Sequence, residues 1–444
     1  MFEIKYNLNK EYKVEYMRKI FGIAFLFLGL LLISIGTYSF YSTEVILGAV
    51  TNTEDFTINV TGFDDPITKS YALKKGEFLM PGDSGEFDID IDVNSSSDVY
   101  LTIDFDKENI PSNLNFYLDS NHTILLNKYF KILDNKTEKI TVFWHWDGTR
   151  SDDADNKYMG KNIDATFTVE ALQLNSAYIK NGAFSKEAFW SNEYKEKIRT
   201  VSFVFDTNLS PICTSTNLCF DVSLENSPNK VYAYLEDSSY KDELGNTLYD
   251  LNIAAEGFII APSDLSYYFS GFTNLVSIDF KSLITTNVTD MSYMFNNCEK
   301  IENLDLTNFC TDNVKDMKFM LNNCKSLKQI DLSSFNTSKV IYMNSMFKNN
   351  YVLTNLDISN FISIRVADVN NMFYGMKSLE LLDMRNFVFE SDLTSNRDNY
   401  IDLFTLVNEN SKVVVKNSQE QAFILGLGSS SRPIAWNVKN VVLN

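Results

Sequence analysis

From Leu265 to Phe387 the apolar residues fall into columns that recur every 26 residues, in five segments beginning at Leu265, Met291, Met317, Met343 and Val369. One column holds Tyr268, Met294, Met320, Met346 and Met372, and another holds Leu275, Ile301, Leu327, Leu353 and Leu379. A third is Ile278, Leu304, Ile330, Leu356 and Leu382, and a fourth Leu283, Phe309, Phe335, Phe361 and Phe387. One polar column is invariant: Asp279, Asp305, Asp331, Asp357 and Asp383. A fixed period of this length is the mark of a solenoid, in which each repeat buries its apolar face only against its neighbours. Within a repeat, Ile301 to Leu306 alternates in polarity and predicts a short strand, whereas Met291, Met294 and Phe295, at i, i+3 and i+4, predict one or two helical turns. Strand plus short helix within 26 residues is leucine-rich-repeat geometry, with parallel strands about 4.8 Å apart.

Upstream, over residues 51–175, the period changes to two. Runs such as Phe87 to Val93, Val99 to Phe105 and Ile140 to Trp144 alternate, with Pro81-Gly82-Asp83, Asn94 to Ser97 and Asp147-Gly148 between them. Short alternating runs punctuated by turn residues predict a β-sandwich. Residues 190–264 are placed to cap the first rung of the solenoid, 265–390 hold the repeats, and 391–444 are expected to cap the last. At the other end, residues 20–42 are expected to cross a bilayer as a helix: Ile20 to Phe40 is an uncharged apolar run, long enough at about 1.5 Å per residue, and the uncharged stretch continues to Thr43. Residues 1–19 carry Lys5, Lys10, Lys13, Arg18 and Lys19 and are expected to stay in the cytoplasm, with the rest of the chain outside. That run is either a retained anchor or a cleaved signal. The expected fold class is therefore an α+β, β-rich multidomain chain: an N-terminal transmembrane helix, a β-sandwich, and a leucine-rich-repeat-like solenoid of five 26-residue repeats with end caps.

A formal charge of −19 leaves nothing to neutralise phosphates and excludes nucleic acid as a partner. No Cys-His pair, HExxH, GxSxG or phosphate loop is present, so no catalytic, cofactor-binding or metal-binding residue is assigned, and the chain is not expected to be an enzyme. His145 stands between Trp144 and Trp146 and, with no second histidine near it in sequence, is taken as a strand residue. The acidic run Asp152, Asp153 and Asp155 lacks the spacing of a calcium loop and is taken as solvated. Cys213 and Cys219 bracket a five-residue turn and are the candidate disulfide; Cys298 and Cys324 lie on successive rungs with side chains pointing the same way, which disfavours a bridge. The aspartate column has two readings. In the first, each carboxylate caps a neighbouring loop by accepting backbone N–H bonds or lines a solvated strand face; in the second, it joins its neighbours in binding cations or a basic ligand.

Two resemblances carry functional expectations. Asp290 to Cys298 followed by Leu304-Asp305-Leu306-Thr307-Asn308-Phe309, the lead-in Tyr249 to Pro262 with Tyr268 to Leu275, and the exit Arg432-Pro433-Ile434-Ala435-Trp436 resemble the BspA-like leucine-rich-repeat bacterial surface proteins, over residues 190–444. Pro81-Gly82, Trp144-His145-Trp146 and Ala165 to Val169, with Ile35 to Phe40 before them, are loosely similar to the TasA/camelysin-type exported sandwich proteins. The first resemblance implies a cell-surface adhesion protein that presents its solenoid to an extracellular protein or glycan, and the N-terminal apolar run, if retained, would hold it to the cell membrane. The alternatives are a structural subunit of a surface layer or biofilm matrix and, further off, an extracellular hydrolase using Asp152 and Asp155.

Overall fold

A computed structural model of the chain describes residues 42–44, 56–61, 70–73, 80–95, 99–105, 110–111, 113–122, 126, 129–133, 137–147, 158, 164–173, 176–205, 218–389, 397–428 and 430–443. The chain divides into two compact units, Met1–Ser42 and Thr43–Asn444.

The alternating runs form a two-sheet sandwich. One sheet is ordered Phe56–Thr61, Ser84–Ser95, Thr137–Trp146, Leu114–Tyr117; the other contains Ser70–Ala72, Asp164–Gln173, Val99–Phe105 and Tyr129–Leu133. All these pairings are antiparallel. Every second residue points inward, so Ile89, Ile91, Val142 and Trp144 from the first sheet meet Leu101, Ile103, Phe167 and Val169 from the second. The strand Val99–Phe105 departs from simple alternation, because Val99 through Ile103 are all buried. Its outer face is covered: Tyr100 and Phe130 pack on Ile260, Ile284 and Cys310 of the solenoid. Only two residues separate the sandwich strand Asp164–Gln173 from Ser176–Tyr178, which pairs in parallel with Phe258–Ile260. The sandwich is thus seated on the solenoid.

In the solenoid each repeat contributes a three-residue strand: Ser277–Asp279, Asn303–Asp305, Gln329–Asp331, Asn355–Asp357 and Leu381–Asp383. Pairing is parallel and shifted by one repeat, as in Leu304↔Ile330 and Leu356↔Leu382. The middle residue of each strand faces the core. Leu304, Leu356 and Leu382 are buried, and Ile278 and Ile330 are half-buried against the same cluster. The flanking Asn303, Asp305, Gln329, Asp331, Asn355 and Asp357 are exposed.

The helical half of each repeat is not helical, and with it the α+β expectation fails. Among the described residues the one α-helix is Ser418–Gly426 near the C-terminus; the rest is strand, 3-10 turns and turn. Residues 291–298 form turns with left-handed residues four apart, Tyr293 (φ 58) and Asn297 (φ 61), repeated at Phe319 and Asn323 and at Ser345 and Asn349. A positive φ every fourth residue breaks the right-handed helix. The freed N–H groups point along the stack: Tyr293 donates to Lys318 O (2.9 Å), Phe295 to Met320 O (2.9 Å) and Asn297 to Asn322 O (2.9 Å). Met291, Met294 and Phe295 still all face inward and are fully buried. That inward placement gives the i, i+3, i+4 signature without a helix.

The expected transmembrane helix falls outside the described residues, and no helix among the described residues is long and apolar enough to cross a membrane. Of residues 20–42, only Ser42 lies within the described set.

The C-terminal region is more than a cap. The strand Lys412–Val415 continues the parallel ladder at Leu382↔Val413, and Val441–Leu443 extends it at Val413↔Val441. The spacing changes there from 26 to 31 and then 28 residues, which hides the continuation from a period search. Asp402 (φ 55) and Leu406 (φ 57) repeat the pair of left-handed positions. The helix Ser418–Gly426, capped by Asn417 accepting from Gln419 N and Glu420 N, closes the core with Phe423 and Ile424.

Candidate binding face and its side-chain ladders

The exposed side of the strand ladder is a shallow groove of about 680 Å³ over the second to fourth rungs. Its polar lining includes Asp305, Asp331 and Asp357, with Thr307, Ser333 and Asn360 beside them. Each aspartate of the column closes a turn onto the backbone two residues on. Asp279 Oδ1 accepts from Lys281 N (3.0 Å), Asp305 from Thr307 N (3.0 Å), Asp331 from Ser333 N (2.8 Å), Asp357 from Ser359 N (2.8 Å) and Asp383 from Arg385 N (3.2 Å). One oxygen of each carboxylate is thereby fixed by a backbone donor, and the rows stay in line. At the ends of the column the turn residue is a cation, Lys281 with Asp279 (3.3 Å) and Arg385 with Asp383. In the middle it is Thr307, Ser333 or Ser359. The column thus has cationic turn residues at its ends and hydroxyl-bearing ones over the groove.

Three further columns hold the rungs in place. Thr285, Thr311, Thr337 and Ser363 each insert a hydroxyl between rungs. Thr337 Oγ1 donates to Ile362 O (3.0 Å) and accepts from Ile362 N (2.7 Å); Thr311 does the same with Asn336, and Ser363 with Val388. Each hydroxyl thus bonds both main-chain groups of one residue on the next rung. At the next rung the position is Phe389, whose N–H donates instead to the buried Glu420 (3.1 Å). The left-handed column Asn297, Asn323 and Asn349 forms an amide ladder, Asn323 Nδ2 to Asn297 Oδ1 and Asn349 Nδ2 to Asn323 Oδ1, both 2.7 Å. It ends at Gly375 (φ 77), where a Cβ would stand 2.5 Å from Asn349 Oδ1. The other left-handed column begins with stacked rings, Tyr267 on Tyr293 (4.4 Å) and Tyr293 on Phe319 (4.6 Å). The threonine and asparagine columns stand in the sequence at the same 26-residue period as the apolar ones and are a signal of these ladders.

The cysteines divide by location. Cys219 is disulfide-bonded, and Cys213, its expected partner, lies outside the described residues. Cys298, Cys310 and Cys324 are free and buried. Burial raises the Cys298 thiol well above its ordinary value and pushes Cys324 up to about 12, so neither supplies a thiolate nucleophile at neutral pH. Asp312, beside Cys310, has its carboxyl raised by burial, opposed by the hydrogen bond from Asn336 Nδ2 (2.8 Å). The acidic run at Asp152, Asp153 and Asp155 lies outside the described residues. His145 does have a second histidine beside it, contrary to the expectation from spacing: the fold stacks His122 against it.

Residues 263–386 match the family model described as "Mycoplasma protein of unknown function, DUF285". The match covers the five repeats and not the sandwich. No curated protein matches the chain, and no solved structure does.

Proposed function

We propose that this is a surface-displayed binding protein that presents the strand face of its solenoid to an extracellular protein or glycan, as the BspA-like resemblance implies. The observation that carries the reading is the groove over Asp305, Asp331 and Asp357: a straight row of carboxylates, each pre-positioned by a backbone N–H, on a rigid ladder. Such a face binds by complementarity and prefers basic or hydroxyl-rich ligands at its centre. A disulfide at Cys219 fits an oxidising, extracytoplasmic location. The test is to screen the full chain against host matrix proteins and glycans by surface plasmon resonance, beside the variant D305N/D331N/D357N. Binding that weakens at least about ten-fold in the variant and falls with salt supports the reading; binding that is unchanged removes the groove from it.

A structural-subunit reading has one observation in its favour. The strands Leu218–Asp221 and Val441–Leu443 are the outermost members of the ladder among the described residues, and such edges are where a further copy could add. Concentration-dependent assembly in sedimentation velocity would favour it; a constant monomer would not.

A further inference from the structure

The 444 residues include two histidines, His122 and His145, and the fold brings them side by side on the sandwich, far in sequence from the repeats. His145 lies on the strand Thr137–Trp146, opposite Ser84 on one neighbour and Asn115 on the other. His122 occupies the turn that follows Leu114–Tyr117, with a left-handed backbone (φ 56) and its N–H donating to Asp119 O (3.1 Å). The imidazole centroids are 5.2 Å apart with planes inclined by 18°, and Tyr117 backs His122 at 4.9 Å.

That separation has a chemical meaning. Two imidazoles on one tetrahedral zinc-like ion, with Zn–N about 2.05 Å and each nitrogen about 1.1 Å from its ring centre, have centroids about 5.2 Å apart. Turning either ring about its Cβ–Cγ bond re-aims the nitrogens and leaves the centroid nearly in place. Both side chains are half-exposed, so the rotation is open to them and water can complete the coordination. The surroundings favour a cation. Asp119 acts on His122, and Asp147 and Asp119 act on the Tyr117 hydroxyl.

We propose that His122 and His145 together bind a divalent first-row transition metal of the zinc class, at a site separate from the solenoid groove. No group of three or more His, Cys, Asp or Glu among the described residues is placed to hold a metal ion. The site therefore offers two protein ligands with water completing the shell, which makes it an exchangeable site and not a structural one.

The experiment is calorimetric titration of the full chain with Zn²⁺ at pH 7.5, beside H122A, H145A and D305N/D331N/D357N. The expected result is one equivalent bound by the wild type, at least about ten-fold weaker binding in each histidine variant, and no change in the groove variant. Should an alanine variant misfold, H122Q and H145Q replace it, and zinc protection of the wild-type histidines against diethylpyrocarbonate gives a second readout. The proposal is overturned by absence of uptake at about 100 µM Zn²⁺, by uptake equal in wild type and both histidine variants, or by uptake that follows the aspartate variant instead.

Discussion

Replacing Thr337 by valine tests the hydroxyl column at its best-defined point. Thr337 is fully buried, and its Oγ1 makes both bonds to Ile362, donating to the carbonyl at 3.0 Å and accepting from the N–H at 2.7 Å. Valine keeps the volume and the β-branch but offers neither bond. Each backbone group left without a partner costs about 1–3 kcal/mol when buried. Ile362 is only half-buried, so water can reach part of it, and the expected loss for the pair is about 2–4 kcal/mol. Thr337→Ser keeps the hydroxyl and deletes one methyl, for about 1 kcal/mol. The measurement is guanidinium unfolding of the full chain followed by tryptophan fluorescence and far-UV circular dichroism, with limited proteolysis to locate the damage. Coupling along a solenoid runs between neighbours, so new cleavage should appear first in residues 311–389. If valine costs no more than serine, the hydroxyls are incidental and the rungs are held by apolar packing alone.

Three other outcomes are expected. Gly375→Ala places a Cβ at a position with φ 77 and 2.5 Å from Asn349 Oδ1, and should destabilise by about 1–2 kcal/mol in the same unfolding assay. For Asp312 the folded pKa lies above the unfolded one because of burial; its contribution is fully present below the unfolded value near 3.8 and is lost as pH rises through the folded value. Asp312→Asn should therefore raise the denaturation midpoint at pH 7 and have little effect at pH 3.5, and an equal effect at both would show that the charge is not the cause. Finally, mass spectrometry without reductant should find Cys213 and Cys219 joined and Cys298, Cys310 and Cys324 alkylatable only after unfolding.

What the sequence made legible follows from which forces leave periodic traces. The five repeats and their inward columns were readable because burial selects residue type at every turn of the stack: Leu275, Ile301, Leu327, Leu353 and Leu379 are fully buried. The turn ladder was misread as helix because Met291, Met294 and Phe295 face inward at helical spacing in either conformation. The discriminating signal was the Gly271, Asn297, Asn323, Asn349, Gly375 column, since glycine and asparagine are the residues that tolerate a left-handed backbone. Alternation found the sandwich strands, but it could not foresee that Tyr100 would be covered by Ile260 and Ile284, a contact across 160 residues or more. Of the candidate sites, the aspartate column was visible as a column, and its turn-closing bonds were one of its two readings. The meeting of His122 with His145 left no trace, because it depends on one turn and one cross-strand register.

The inter-rung bonds have an evolutionary consequence. Thr311 meets Asn336, and Thr337 meets Ile362, through the same two main-chain atoms each time, so a rung recognises the backbone of the next one and not its identity. Excision of residues 317–342, or their tandem duplication, would present each donor with an equivalent acceptor 26 residues along, and the gene could lengthen or shorten this array by whole units without a compensating change elsewhere. That freedom stops at Phe389, where the hydroxyl is gone and Glu420 answers from a different element. Relatives should therefore differ in the number of central repeats while the junction from Phe389 to Glu420 stays constant in length.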